Sequence, residues 1–318
     1  MTSKPTKPLK IDIPAVDGFP LHAHAWVHEV VNNDELPPVV IINPATSVQS
    51  RYYGRFADFL YAHGFNVITY DYRGIGGSRP EKIRGFQANW LDWGSKDFEG
   101  VLRFAGTCFK GHDILVAAHS VGGFLVGMAP SNQVIKRVFT MGSQFAYWRD
   151  YAKHKRFAMY LRWHIVMPTL TAIFGYFPGK RLGWLEDTPS GVVRDWISPE
   201  PRFEDIYKSG PQALSDEERT KLVESFAQVT APTLAVSMSD DEFGTIPAIH
   251  RLLSYFKNSP STHMRIEPDA VGQPSIGHFA FFNARYADSL WEIPLAWLRD
   301  GEVTQEIPAQ LVTLEQNP

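Results

Sequence analysis

Ser120, the three consecutive acids Asp240, Asp241 and Glu242, and His278 are the side chains whose types and order could transfer an acyl group. A serine hydroxyl is a weak nucleophile until a base takes its proton, and that base needs a third group to orient it. Ser120 stands in Asp113-Ile114-Leu115-Val116-Ala117-Ala118-His119-Ser120-Val121-Gly122-Gly123-Phe124-Leu125-Val126. An apolar, β-branched run rises to the serine and passes straight into an apolar pattern of helical character, which reads as strand, sharp turn and helix. Small neighbours suit the strained turn that lifts Oγ clear of a sheet. The Val121 N–H then points into the same space, beside the positive end of the helix, an arrangement that suits an oxyanion.

His278 follows Gly277 in a Pro- and Gly-bearing loop, from which an imidazole can reach over the turn. His119 is a rival by proximity, but the neighbour of a nucleophile points away from it across the turn, so His119 reads as a packing residue. His22 and His24 share one strand face with no third ligand nearby, and they read as an outward face instead of a metal site.

The elements that must place these groups alternate in type. Residues 9–14 and 21–27 flank Asp17-Gly18 and predict an antiparallel pair of strands. Short continuous apolar runs at 38–43, 65–72, 114–119, 135–143 and 232–239 read as buried parallel strands, and 263–267 as another. Helical patterns at 51–63, 90–109, 246–257 and 288–298 separate them. The rhythm stops between about 144 and 229, a stretch rich in Trp, Tyr, Phe, Pro and basic residues. The tail from Gly301 onward is polar and reads as loosely docked.

With these motifs in place, the sequence resembles the α/β-hydrolase superfamily. Its nucleophile turn, G-x-S-x-G, is matched with Ala118 in the first position, and Asp71-Tyr72-Arg73-Gly74-Ile75-Gly76-Gly77-Ser78 matches its D-x-R-G-x-G-x-S loop. The order Ser, acid, His is also that of the superfamily. The glycines of the 71–78 loop permit a tight fold-back, with Arg73 as an anchor; a phosphate cradle would need a different spacing. The resemblance implies an α/β fold, a mostly parallel central sheet with helices on both faces and an inserted helical cap. Residues 1–143 and 230–318 would form the core, and 144–229 the cap. In related sequences the acid falls about nine residues after the proline before its strand; counted from Pro232, that is Asp241. The loop after the first parallel strand, where relatives read His-Gly-X, is here Asn43-Pro44-Ala45, which implies Ala45 as second oxyanion donor beside Val121, with Thr46 as fallback. Segments such as Gly142–Trp148 and Asp187–Trp196 are further similar to a bacterial group of serine-aminopeptidase-like hydrolases.

The expected chemistry is therefore a Ser120–His278–Asp241 triad acting through an acyl-enzyme, with no metal and no organic cofactor. A dehalogenase would carry Asp, and a dienelactone hydrolase Cys, in place of Ser120. The aromatic cap favours a small, largely apolar substrate, and Thr46, Tyr147 and Trp148 are expected to contact it. A carboxylic-ester hydrolase is the first reading. An aminopeptidase or amide hydrolase, with Glu186, Asp187 or Asp195 holding the substrate amine, is the alternative, with an acyltransferase open on the same triad and a non-catalytic ligand receptor as the reading from another class.

A net charge of −3 with 20% charged residues, in a chain of 318, gives no electrostatic reason to expect nucleic acid or an acidic membrane as partner. The basic run Arg149, Lys153, Lys155, Arg156 and Arg162 reads as a solvated face, with steering of an anionic substrate as the alternative. The apolar stretch 159–178 is interrupted by Arg162, His164, Pro168 and Gly175, which argues against an integral membrane span. A single cysteine, Cys108, excludes an intrachain disulfide, and residues 1–8 lack the apolar core of a signal peptide, so a cytoplasmic location is expected. A homodimer is left open.

Overall fold

In a computed structural model, which describes residues 7–29, 36–304 and 306–314, the chain forms one mostly parallel sheet of nine strands. The expectation drawn from residues 1–6 therefore lies outside the described residues. The strands are β1 (Leu9–Pro14), β2 (Pro20–Trp26), β3 (Val39–Asn43), β4 (Asn66–Tyr70), β5 (Ile114–His119), β6 (Ile135–Met141), β9 (Thr233–Met238), β10 (Ser261–Ile266) and β11 (Gln310–Val312), with a separate two-stranded ribbon of β7 (Tyr176–Phe177) and β8 (Thr188–Pro189). Their order across the main sheet is β1-β2-β4-β3-β5-β6-β9-β10-β11. All pairs from β4 through β10 are parallel, whereas β1, β2 and β11 join antiparallel at the edges.

The continuous apolar runs are buried because both faces of the sheet are covered. In β3, Val39 and Ile41 face the layer containing Val101, Phe124 and Ile249, while Val40 and Ile42 face the layer containing Phe56, Leu60 and Trp291. The period-two alternation of a strand thus feeds two cores at once. β5 is buried along its whole length and ends at the centre of the sheet's carboxyl edge, where open α/β sheets hold ligands.

Two expectations change. The tail is not merely loosely docked: Gln310–Val312 adds an edge strand, pairing Met264 with Leu311. The stretch between β6 and β9 is helical apart from the short ribbon, but its last helix, Asp216–Ala227, lies on the sheet layer. Phe226 there packs at a tilt against Phe124 and fills the space beside Gly127. What leans over the carboxyl edge is the part before it, notably a continuous helical segment from Arg156 to Phe174.

Candidate active site

The turn after β5 places Ser120 at φ 54°, ψ −123°, a backbone conformation that strains any residue with a side chain. Helix Val121–Met128 begins at the next residue, so the Val121 N–H belongs to the first turn and has no intrahelical partner. The tightness of the turn explains Gly122: a Cβ there would meet the carbonyl oxygen of Asn43 at 2.4 Å. Asn43 holds the turn from the other side, its amide donating to the Gly122 oxygen while Tyr70 Oη donates to its own side-chain oxygen.

Asp241 follows β9 and is almost fully buried, and its Oδ2 lies 2.7 Å from His278 Nδ1. Burial alone would raise its pKa. The facing His278 and the amides of Gly244 and Phe243 outweigh that, and the carboxyl is held below its ordinary value. Gly142, at φ 59°, lies against this pair; a Cβ would come within 3.0 Å of Asp241 and of the His278 ring. Asp240 has a different task. Its carboxylate accepts from Ser275 Oγ and from the amides of Ile276 and Gly277, clamping the loop that carries His278.

Ser120 and His278 line one cavity of about 330 Å³ with Thr46, Gln144, Trp163, Met167, Trp196 and Phe243 among its walls. No hydrogen bond joins Ser120 to His278 among the described residues, and such contacts commonly tighten only with substrate in place. Arg162 and Glu242 contribute charge to the lining, and Glu242 lies 3.3 Å from Lys155.

His119 is fully buried, with Nδ1 2.8 Å from Tyr53 Oη and Nε2 2.8 Å from the His278 main-chain oxygen. Burial, reinforced by the nearby His278, pushes its pKa down to about 3. It therefore stays neutral near pH 7.

Two expectations fail at this site. The Ala45 N–H donates to Tyr53 Oη at 2.9 Å, so the amide named as second oxyanion donor is already engaged. The neighbouring Thr46 amide has no partner among the described residues. Of the three expected substrate contacts, Thr46 lines the cavity, but Tyr147 lies under the Arg251 guanidinium and Trp148 packs on Tyr160, both off the wall. The walls are instead made by Trp163, Trp196 and Phe243. Phe243 sits two residues after Asp241, and that proximity was the one signal that could have found it.

The chain belongs to the Alpha/beta hydrolase family, whose model matches residues 18–288. No curated protein sequence matches it. Among solved structures it is similar to a puromycin-hydrolyzing peptidase of Mycobacterium tuberculosis (17% identity, TM-score 0.56), covering 93% of this chain but 41% of that one. It therefore spans about two fifths of that peptidase. It is also similar to DcsB in complex with its substrate analogue (16% identity, TM-score 0.56, covering 92% and 99% of the two chains). An esterase of Pyrococcus furiosus matches at 11% identity and TM-score 0.53, covering 92% and 90%. At these identities the likeness is one of fold.

Proposed function

We propose that this protein is a serine hydrolase that cleaves an ester, or a related acyl bond, of a small and largely apolar substrate. The observation that carries the reading is the sharing of one mostly apolar cavity by Ser120 and His278, with Asp241 hydrogen-bonded behind the histidine. His278, its Nδ1–H directed at Asp241, takes the Ser120 proton through Nε2. The alkoxide attacks the carbonyl, and the oxyanion is met by the amides of Val121 and of Thr46, which replaces Ala45 in that role. His278 returns the proton to the leaving alcohol. Water, activated the same way, then releases the acyl group from Ser120. The helices before residue 200 act as the cap that shapes the acyl site.

The amide-hydrolase alternative loses the acids it relied on. Asp187 is paired with Arg79, Glu186 with Lys180, and Asp195 is buried on Trp90 N–H and Tyr207 Oη. None of the three lines the cavity.

The test pairs a fluorophosphonate probe with a p-nitrophenyl ester series on wild type and Ser120→Ala. Labelling and turnover in the wild type only are expected. Turnover that survives in Ser120→Ala would sink the mechanism, and an unlabelled, inactive wild type would favour a ligand receptor.

A further inference from the structure

The helical segment from Arg156 to Phe174 has two apolar faces, and the fold uses one of them. Steps of four residues drift by about 40° around a regular α-helix. Here a wider π-turn at Arg162–Val166 takes the drift back, so Met159, Trp163 and Met167 stay in line. These three are buried, and the last two line the cavity. The same spacing aligns Phe157, Leu161 and Ile165 on the opposite side, continued by Ile173. Phe157 is 76% exposed, Ile173 63% and Ile165 52%. Such an outward row on one helix is far from the ordinary scatter of single exposed apolar residues.

Charge says what kind of surface would cover it. Between residues 144 and 185 there are seven Lys or Arg and one acid, Asp150, which is bound by Arg251. Arg149 and Lys153 precede the helix, and the Arg181 guanidinium lies over Phe174 at its far end, 5.3 Å from the ring centre. Lys155 and Lys180 meet Glu242 and Glu186, whereas Arg149, Lys153, Arg162 and Arg181 face no carboxylate among the described residues. The chain-wide charge of −3 conceals this local excess of cations.

We propose that the outer face of the 156–174 helix is a docking surface for an anionic lipid layer, the apolar row entering the headgroup boundary and the flanking cations meeting lipid phosphates. An amphipathic basic helix lying in the membrane plane has this composition. A second copy fits poorly, because a two-fold contact through this face would bring two cationic borders together. Nucleic acid would satisfy the cations but leave the apolar row in water. Docked in this way, the helix would set the cavity beside the layer from which apolar esters come.

The experiment reads binding, so it stands apart from whether the chain hydrolyses esters. The full chain is sedimented with phosphatidylcholine vesicles, alone or with roughly a third phosphatidylglycerol, at low and high salt. Binding to the anionic vesicles only, weakened about tenfold or more by salt, is expected. Phe157→Ser/Ile165→Ser and Lys153→Glu/Arg181→Glu should each weaken it on the order of tenfold, with melting temperatures close to wild type. No binding at low salt, or binding indifferent to both double variants, would overturn the proposal. So would a concentration-dependent dimer that Phe157→Ser/Ile165→Ser dissolves, which would assign the face to a second copy.

Discussion

His119 Nε2 lies 2.8 Å from the main-chain oxygen of His278, and since a carbonyl oxygen only accepts, the His119 ring must carry its proton on Nε2. Its Nδ1 is then an acceptor, so Tyr53 Oη donates to it, leaving the phenol oxygen to receive the Ala45 N–H. The chain of bonds has a single direction throughout. It ties the loop after β3, the strand that ends at Ser120 and the loop bearing His278 into one unit.

Tyr53→Phe should therefore do more than remove a hydroxyl. It strands two buried groups, the His119 Nδ1 and the Ala45 amide, each of which costs about 1–3 kcal/mol when left unpaired. We expect a loss of roughly 2–4 kcal/mol in urea unfolding and a lower kcat on any ester substrate, because the Thr46 amide is held by this same loop. A variant as stable as wild type would show that the relay carries no energy.

The alternating elements could be read from the sequence because the buried strands, such as Val39–Asn43 and Ile114–His119, are apolar on both faces and sharply bounded. The strand Gln310–Val312 could not, since it is exposed and joins the sheet through backbone bonds that side-chain patterning does not encode. The engagement of the Ala45 amide is hidden for a related reason: its partner is Tyr53 Oη, a side-chain bond that loop similarity does not reveal. Between residues 144 and 200 the sequence displays its aromatic content, but whether Trp148 or Trp163 meets the cavity depends on which face of each segment docks, a tertiary choice.

Adjacent acids with separate duties make a contrast that mutation can resolve. Asp241 bonds the His278 ring, while Asp240 holds the amides of Ile276 and Gly277 and the Ser275 hydroxyl. Asp240→Ala should let the loop drift and lower kcat on the order of a hundredfold, the typical effect of a misplacement near 1 Å, with KM nearly unchanged. Asp240→Asn keeps one acceptor oxygen and should lose less. Equal losses in the two variants would mean that charge, and not the clamp, is what matters.

Strain at Ser120, the proposed nucleophile, would set stability against activity. A non-glycine residue at φ 54°, ψ −123° costs about 1–3 kcal/mol, and alanine inherits that cost in full. Glycine escapes it, less roughly 0.5–1 kcal/mol for its freer unfolded chain. Ser120→Gly should therefore be more stable than Ser120→Ala by about 1–2 kcal/mol in denaturant titration, with both inactive. The reverse order would place the turn among relaxed conformations.

Asp195 gives the fold a pH dependence with a definite sign. Burial, only partly offset by the Trp90 N–H and Tyr207 Oη bonds, raises its pKa to about 7. The folded protein therefore keeps this carboxyl protonated between the unfolded value near 4 and about 7, where the unfolded chain ionises it. Its contribution to stability is complete below the unfolded pKa and disappears as pH rises through 7. Asp195→Asn removes that dependence while retaining an oxygen for both bonds. The stability of Asp195→Asn relative to wild type should accordingly improve between pH 5 and pH 8, by roughly 2–3 kcal/mol, whatever its absolute offset at either pH. Paired unfolding curves at the two pH values measure this directly, and parallel behaviour of the two proteins would mean that Asp195 stays ionised in the fold.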